Sequence, residues 1–333
     1  MTTVALNLLL AAAAIVTAGE PLRGPAALIE KPFGVLLIGE GGDRDWKTTI
    51  GEVKKRAGKK YPLEFAGGLA DGKALQGGLD ALQAQRVKNV VIVPLFVSSY
   101  GDVMDQLRYL LGIREKPSET FAGPRARASA AAPPRLRSRV PLVLTKALDD
   151  HPLFVELLAA RAQALSRRPG EEAVILIGET PAVKPGDKER AAEKEWLQAA
   201  AALAEKVRQK GSFAAARAYA LQSGATQKDR ELSEGGLRAL LKELRRSHKV
   251  IIVPLTMSGS RPRLARALDG LFVKYDGRAV LPDPRIPQWV EETAAPAAKL
   301  PDMRLFKDAS RTGFSPIGLT KPPGFPPPGD KHD

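Results

Sequence analysis

The sequence contains no cysteine. This absence excludes disulfide bonds, thiolate zinc sites, iron–sulfur ligation and cysteine nucleophiles together. Histidine occurs only at His151, His248 and His332, positions too scattered along the chain to form an obvious histidine metal site. Aromatic residues make up only 5% of the chain, which argues against stacking platforms for single-stranded nucleic acid.

Long apolar runs are also scarce, with one exception near the N-terminus. Residues 4–18 carry no charge, but the run is shorter than the roughly 20 residues of a membrane helix, so no stable membrane span is expected. Its small residues and its Val16-x-Ala18 ending match a secretory signal cleaved after Ala18, although residues 1–3 supply no basic side chain. Cleavage predicts an exported protein, periplasmic or secreted. The alternative is a buried or frayed N-terminal helix in a cytoplasmic protein.

The chain is basic, with a formal net charge of +14. A positive field favours an anionic partner, whether a nucleic acid, a membrane surface or a polycarboxylate ligand. Two stretches are of low complexity: residues 116–140, which we interpret as an arginine-rich linker between two lobes, and residues 301–333, a Pro- and Gly-rich tail predicted to be disordered.

The strongest organisational signal is a repeat. Gly34-Val-Leu-Leu-Ile-Gly-Glu40 returns as Ala173-Val-Ile-Leu-Ile-Gly-Glu179, and Val90-Val-Ile-Val-Pro-Leu95 returns as Val250-Ile-Ile-Val-Pro-Leu255. Continuous apolar runs of this kind are typical of strands buried on both faces in a parallel sheet. Helical patterns alternate with them, at residues 46–58, 73–86, 147–167, 190–210 and 231–246, with Asp149 or Asp150 as the expected N-cap of the third. The sequence therefore predicts an α/β protein with two tandem, doubly wound parallel-sheet lobes at 33–115 and 141–295, facing a central cleft.

In such sheets a ligand binds beyond the carboxyl ends of the strands. The residues there are 39–45 and 98–103 in the first lobe and 178–184 and 256–262 in the second. No dinucleotide fingerprint, P-loop or nucleophile elbow is present among them.

These strand ends resemble a known family. The strand that ends in Gly-Glu-Gly-Gly before Trp46 is similar to the opening Gly-His-Gly of the sirohydrochlorin chelatases. The Val-Pro-Leu-Phe strand followed by Ser98-Ser-Tyr-Gly-Asp-Val103 resembles their second strand-end motif, and Leu281-Pro-Asp-Pro284 resembles a Leu-Pro-His-Pro pattern. The resemblance extends from residue 33 to residue 290 and fits the long, two-lobed members.

The resemblance implies a protein that inserts divalent cobalt or iron into a carboxylate-rich tetrapyrrole, with no cofactor required. In that family two strand-end histidines hold the metal and accept pyrrole protons; the matching positions here are Glu40 and Asp102, and the third histidine position is Asp283. Every family histidine placed in this way is replaced by a carboxylate. Carboxylates suit harder ions than imidazole does, yet a facing pair can still bind a divalent ion or accept protons.

Each candidate has a structural alternative. Glu40 either forms the site or caps the following helix, and Asp102 fits an N-cap better than a ligand. Ser98, Ser99 and Tyr100 are candidates for binding substrate carboxylates, although hydroxyl side chains are common in such turns. His151 is interpreted as a surface residue in the first turn of a helix.

Two functions follow from this reading. One is a chelatase-like enzyme that handles a metal and a tetrapyrrole between two lobes. The other is an exported, non-catalytic protein on the same fold that carries a tetrapyrrole or a metal. A nucleic-acid-binding protein is disfavoured, because no recognition motif and no aromatic interleaving accompany the basic residues.

Overall fold

The computed structural model describes residues 32–117, 133–180, 187–222, 226–259 and 262–306, with only the backbone described for 187–193. The predicted signal segment and the Pro- and Gly-rich tail beyond residue 306 lie outside the described residues. Among the described helices, none is both long and apolar enough to cross a bilayer.

The first sheet contains four parallel strands in the order β2-β1-β3-β4. The strands are β1 (Gly34–Ile38), β2 (Leu63–Ala66), β3 (Val90–Pro94) and β4 (Leu142–Leu144). In register, Val35 lies between Leu63 and Val91. Every residue of the two central strands is buried, as the continuous apolar runs predict.

The second sheet contains three parallel strands in the order β6-β5-β7. They are β5 (Glu172–Thr180), β6 (Ala215–Gln222) and β7 (Lys249–Pro254). The order repeats that of β2-β1-β3 in the first sheet. The predicted α/β class with parallel sheets is therefore confirmed.

Helices connect the strands in both halves. They are α1 (Arg44–Ala57), α2 (Gly72–Ala84), α3 (Asp102–Leu110), α4 (Pro152–Leu165), α5 (Asp187–Gly211), α6 (Gln227–Leu244), α7 (Pro262–Leu268) and α8 (Arg285–Ala297). The N-cap predicted for α4 at Asp149 or Asp150 is wrong: the cap is His151, whose Nδ1 accepts from the Leu153 amide at 3.3 Å. Helix α8 was not predicted.

The two halves exchange their last helices. Helix α4 follows the first sheet in the chain but packs against α5 and β7 of the second. Helix α8 follows the second sheet but packs against α1 and β3 of the first. Polar contacts also join α8 to the first half. Glu291 on α8 accepts from Arg56 on α1 at 2.7 Å, and Asn89, just before β3, donates to the Ala298 carbonyl at 2.7 Å.

We call the first sheet with α1, α2, α3 and α8 the first lobe, and the second sheet with α4, α5, α6 and α7 the second lobe. The exchange joins the two through one continuous apolar core, which contains Leu36 from β1 as well as Leu176 from β5 and Trp289 from α8. The lobes are therefore not independent packing units.

The predicted lobe boundary is wrong. Strand β4 pairs with β3, so residues 142–144 belong to the first sheet, and the stretch 116–140 connects α3 and β4 of that sheet's lobe rather than the two lobes. The chain passes to the second sheet after α4, at residues 166–171. The low-complexity composition of 116–140 indicated a linker; its residues 118–132 lie outside the described part of the chain.

Candidate functional site

The candidate residues follow two neighbouring strands. β1 and β3 are adjacent and parallel, so their carboxyl ends meet at one edge of the first sheet. Glu40 follows β1, and Ser98, Ser99, Tyr100 and Asp102 follow β3. This edge is where the sequence predicts a ligand.

Glu40 stands exposed on a glycine-rich turn. Gly41 and Gly42 after it have φ values of +75° and +100°, a left-handed backbone that favours glycine. The Glu40 carbonyl accepts from the Gly68 amide at 2.9 Å, which ties the turn to the end of β2. Among the described residues the Glu40 carboxylate has no hydrogen-bond or ion-pair partner, so it is free to contact a ligand.

The capping alternative for Glu40 is wrong. The N-cap of α1 is Asp43, whose Oδ1 accepts from the Trp46 amide at 3.0 Å. Because the helix begins three residues further on than a Glu40 cap requires, the carboxylate at 40 has no role in capping.

A tryptophan packs on the glycine that precedes each strand-end glutamate. A Cβ added to Gly39 would lie 2.4 Å from the Trp46 ring, and one added to Gly178 would lie 2.3 Å from the Trp196 ring. Both tryptophans lie on the helix that follows the strand, and both are buried. The contact fixes the backbone from which Glu40 and Glu179 project.

Substituting Gly39→Ala is expected to destabilise the protein by about 1–3 kcal/mol, because Trp46 is 1% exposed and its ring has little space to move. Gly51→Ala on the exposed side of α1 is the control: an added Cβ there meets nothing within 4 Å, and helix propensity predicts a gain of up to about 1 kcal/mol. Urea unfolding followed by circular dichroism measures both. Equal stabilities would contradict the close contact at Gly39.

Asp102 is the first residue of α3 rather than its cap. The N-cap is Gly101, with φ +116° and no side-chain capping bond, so the capping role that the sequence favoured for Asp102 is wrong. The side chain is half-buried. Its position one residue inside the helix keeps it at the carboxyl edge of the sheet and in the favourable field of the helix N-terminus.

Ser99 holds the loop after β3 in place. It is 8% exposed, and its hydroxyl donates to Asp149 Oδ2 at 2.6 Å while accepting from the Ala147 amide at 2.8 Å. The Ser99 amide donates to Asp149 Oδ1 at 2.6 Å. The hydroxyl predicted to bind substrate therefore joins the loop after β3 to the loop after β4.

Ser98 and Tyr100 are more accessible than Ser99. The Ser98 hydroxyl oxygen accepts from the Tyr100 amide at 3.1 Å, and the Tyr100 side chain is 41% exposed. Their role as substrate ligands remains a prediction.

Electrostatics at this edge are set mainly by carboxylates. Burial raises the pKa of Asp149 above its ordinary value, although the hydrogen bonds from Ser99 act in the opposite direction. Partial burial and the charges of Asp149 and Glu195 raise the pKa of the Tyr100 phenol.

The loops that lead into α4 and α8 are held by equivalent backbone hydrogen bonds. In the first lobe the Leu148 amide donates to the Phe96 carbonyl at 3.0 Å, beyond the end of β3. In the second, the Val280 amide donates to the Thr256 carbonyl at 2.9 Å, beyond the end of β7. These bonds make Leu148 equivalent to Val280, so residue 151 corresponds to residue 283, each three residues further along the chain.

This correspondence places His151, before Pro152, in the first half where Asp283, before Pro284, stands in the second. Asp149 and Asp150 precede His151, so the Leu-Pro-His-Pro pattern itself is not reproduced there. Burial lowers the pKa of His151, against the opposing charges of Glu292 and Asp150, so the imidazole is neutral at pH 7. Comparing 148–152 with 280–284 would have identified it from sequence.

The strand ends of the second lobe have structural partners. Asp283 is buried, accepts from Arg285 Nε at 2.9 Å and lies 3.8 Å from Arg161. Glu179 is exposed at the end of β5. Arg263 forms an ion pair with Glu234 at 3.2 Å. Arg261, in the strand-end stretch 256–262, lies outside the described residues.

Within the described ranges, no three His, Asp or Glu side chains are arranged to hold a metal ion. Glu40 and Asp102 are thus two separate carboxylates at one sheet edge, without a third protein ligand from those ranges. A metal bound there as substrate would take its remaining ligands from water or from a second substrate.

Comparison with known proteins decides the family resemblance. Residues 34–165 match the CbiX family model. This CbiX-like segment runs from the start of β1 to the end of α4, and over these residues the resemblance to the chelatases is confirmed. A comparison with curated proteins finds no match.

Solved structures share the fold. SirB from Bacillus subtilis with Fe3+ aligns over 82% of this chain and 99% of its own, with a TM-score of 0.54 and 13% identity. The sirohydrochlorin chelatase SirB from Bacillus subtilis subspecies spizizenii, in complex with cobalt, aligns over 80% and 95%, with a TM-score of 0.51 and 12% identity. At such identities the comparison establishes the architecture of both lobes.

Proposed function

We propose that this protein is a chelatase-like protein that handles divalent cobalt or iron together with a carboxylate-rich tetrapyrrole at the carboxyl edge of the first sheet. The observation that carries the proposal is the CbiX-like segment, residues 34–165, whose strand-end turn presents Glu40 exposed and without a partner in the described part of the chain. The chelatase fold of the SirB structures that bind iron or cobalt supports it.

The chemistry requires a group that binds a cation and groups that accept protons. When a divalent metal enters a tetrapyrrole, two pyrrole N–H protons leave. An exposed carboxylate such as Glu40 can bind the incoming ion or accept a proton, and the nearby Asp102 carboxylate can do the other. The second pyrrole proton leaves to solvent water.

The test measures metal insertion. Sirohydrochlorin and Co2+ are mixed with the protein, and the absorbance change is compared with the spontaneous rate. Glu40→Gln is expected to lower the accelerated rate about 10- to 100-fold, because the amide neither accepts a proton nor attracts the ion. Asp102→Asn is expected to lower it as well.

Glu179→Gln is the matched control, since Glu179 follows β5 as Glu40 follows β1 and is also exposed. It should leave the rate unchanged. A rate that is accelerated but indifferent to both Glu40→Gln and Asp102→Asn would remove the site from this edge while leaving the activity.

The second candidate is a non-catalytic carrier of a tetrapyrrole or a metal. It is favoured by the replacement of the strand-end histidines and by the lack of a three-ligand metal group in the described ranges. Tight binding of sirohydrochlorin without accelerated insertion would select this function.

We further propose that the protein is exported after cleavage of residues 1–18. N-terminal sequencing of the protein from its host tests this: a first residue of Gly19 supports export, and an intact residue 1 contradicts it.

A further inference from the structure

The charge of the first lobe is divided between the two ends of its sheet. In a βαβ unit each helix begins near the carboxyl edge of the sheet and returns to the amino edge, so the two edges form opposite sides of the lobe. The amino edge carries exposed basic side chains in the last turn of α1, in the segments leading into β2, β3 and β4, and after α8. They are Lys54, Lys55, Arg56, Lys59, Lys60, Arg86, Lys88, Arg139 and Lys299.

The opposite edge carries both signs of charge. Carboxylates follow the carboxyl ends of the strands or occupy the first turns of the helices there: Glu40, Asp43, Asp45, Asp71, Asp102, Asp149 and Asp150. Exposed basic residues lie among them, at Arg44, Lys47, Lys73 and Lys146. The candidate site therefore lies on the side of mixed charge, and the basic edge faces away from it.

Acidic neighbours neutralise little of the basic edge. Glu291 forms ion pairs with Arg56 and Lys60. Lys54, Lys55 and Lys59 have no ion-pair partner within the described ranges. Basic residues in the last turn of a helix complement its dipole, which accounts for the two lysines on α1 but not for Lys59 beyond its end.

We propose that this basic edge docks the protein on an anionic lipid bilayer, with the candidate site facing away from the membrane. Each Lys or Arg near an anionic leaflet strengthens binding about five-fold, so several unneutralised side chains are enough for stable adsorption.

A bilayer fits this edge better than a nucleic acid does. The basic residues lie in the last turn of α1 and in connecting segments, so no helix or ribbon of this edge projects to enter a groove of duplex DNA. None of the exposed basic residues of the edge alternates with an exposed aromatic on which single-stranded bases could stack.

The test is sedimentation of the full chain with vesicles of neutral phosphatidylcholine alone or with 30% phosphatidylglycerol added. Binding is expected only to the anionic vesicles, and it should be lost in about 1 M NaCl, where the Debye length falls to about 3 Å. The triple variant Lys54→Gln, Lys55→Gln, Lys59→Gln is expected to bind about 100-fold more weakly.

The matched control is Lys47→Gln, Lys73→Gln, Lys146→Gln, three exposed lysines at the carboxyl edge whose replacement changes the net charge equally. It should keep wild-type binding. Both variants retain residues 1–31, so the apolar run cannot cause a difference between them. Equal weakening of the two variants, or binding to duplex DNA at lower concentration than to anionic vesicles, would overturn the proposal.

Discussion

Replacing Glu172 by alanine is expected to lower the free energy of unfolding by about 3–5 kcal/mol. Glu172, the first residue of β5, is 1% exposed, and its carboxylate accepts from Lys274 Nζ at 2.6 Å, from the Ser166 hydroxyl and from the Arg167 amide at 3.2 Å. Alanine would leave the Lys274 ammonium, the hydroxyl and the amide without their acceptor in a largely buried place.

The same carboxylate predicts a dependence on pH. Burial alone would raise the pKa of Glu172, but the hydrogen bonds from Lys274, Ser166 and Arg167 outweigh it and lower the pKa to about 2. A pKa below the unfolded value of 4.5 means that the stabilisation is fully present above about pH 5 and is lost as the pH falls toward 2. Glu172→Gln should therefore flatten the decline of stability between those values.

Urea unfolding at several pH values, followed by circular dichroism, measures both effects. Glu171→Ala is the control, because the neighbouring carboxylate is exposed and, within the described ranges, forms an ion pair with the exposed Arg168 alone. Its cost should stay below about 1 kcal/mol. A similar loss in the two variants would show that the buried cluster contributes nothing particular.

Trp289→Ala is expected to destabilise by about 3–5 kcal/mol and to do so chiefly in the first lobe. Trp289 is 1% exposed on α8, which packs against α1 and β3 although it follows the second sheet in the chain. The cavity left by the indole therefore opens beside strands that are distant in sequence.

Hydrogen exchange of the backbone amides locates the loss. Protection is expected to fall in β1 and β3 more than in β5 and β7. Trp196→Ala on α5, whose ring covers Gly178 at the end of β5, is the matched control and should have the opposite distribution. Loss of protection confined to β5 and β7 in Trp289→Ala would contradict the exchange of helices.

The sequence predicted β1, β3, β5 and β7 from their composition, because they are runs of Val, Ile and Leu that only a sheet covered on both sides can bury. Strand β6 was missed, because its sequence Ala-Ala-Arg-Ala-Tyr-Ala-Leu-Gln has the composition of a helix and acquires its conformation from pairing with β5.

Helix partners and caps could not be predicted in the same way. The apolar face of α4 or α8 fits either sheet, and only the assembled fold decides which one it covers. Glu40 and Asp102 were each offered a capping role because carboxylates commonly begin helices, yet α1 starts after Asp43 and α3 after Gly101. A displacement of one to three residues, which a periodic pattern does not resolve, separates a residue that caps a helix from one that does not.

Because α4 and α8 are exchanged, each half of the chain supplies a helix that completes the hydrophobic core of the other half. A protein made only of the first half would present a sheet without the helix that covers β3, and it would hold a spare helix suited to β7. Two copies of such a half could complete one another as a dimer, in which each copy packs its final helix against the sheet of the other. In this chain, residues 166–171 connect the two halves covalently. The helix exchange therefore takes place within one molecule, and neither half has to meet a partner by diffusion.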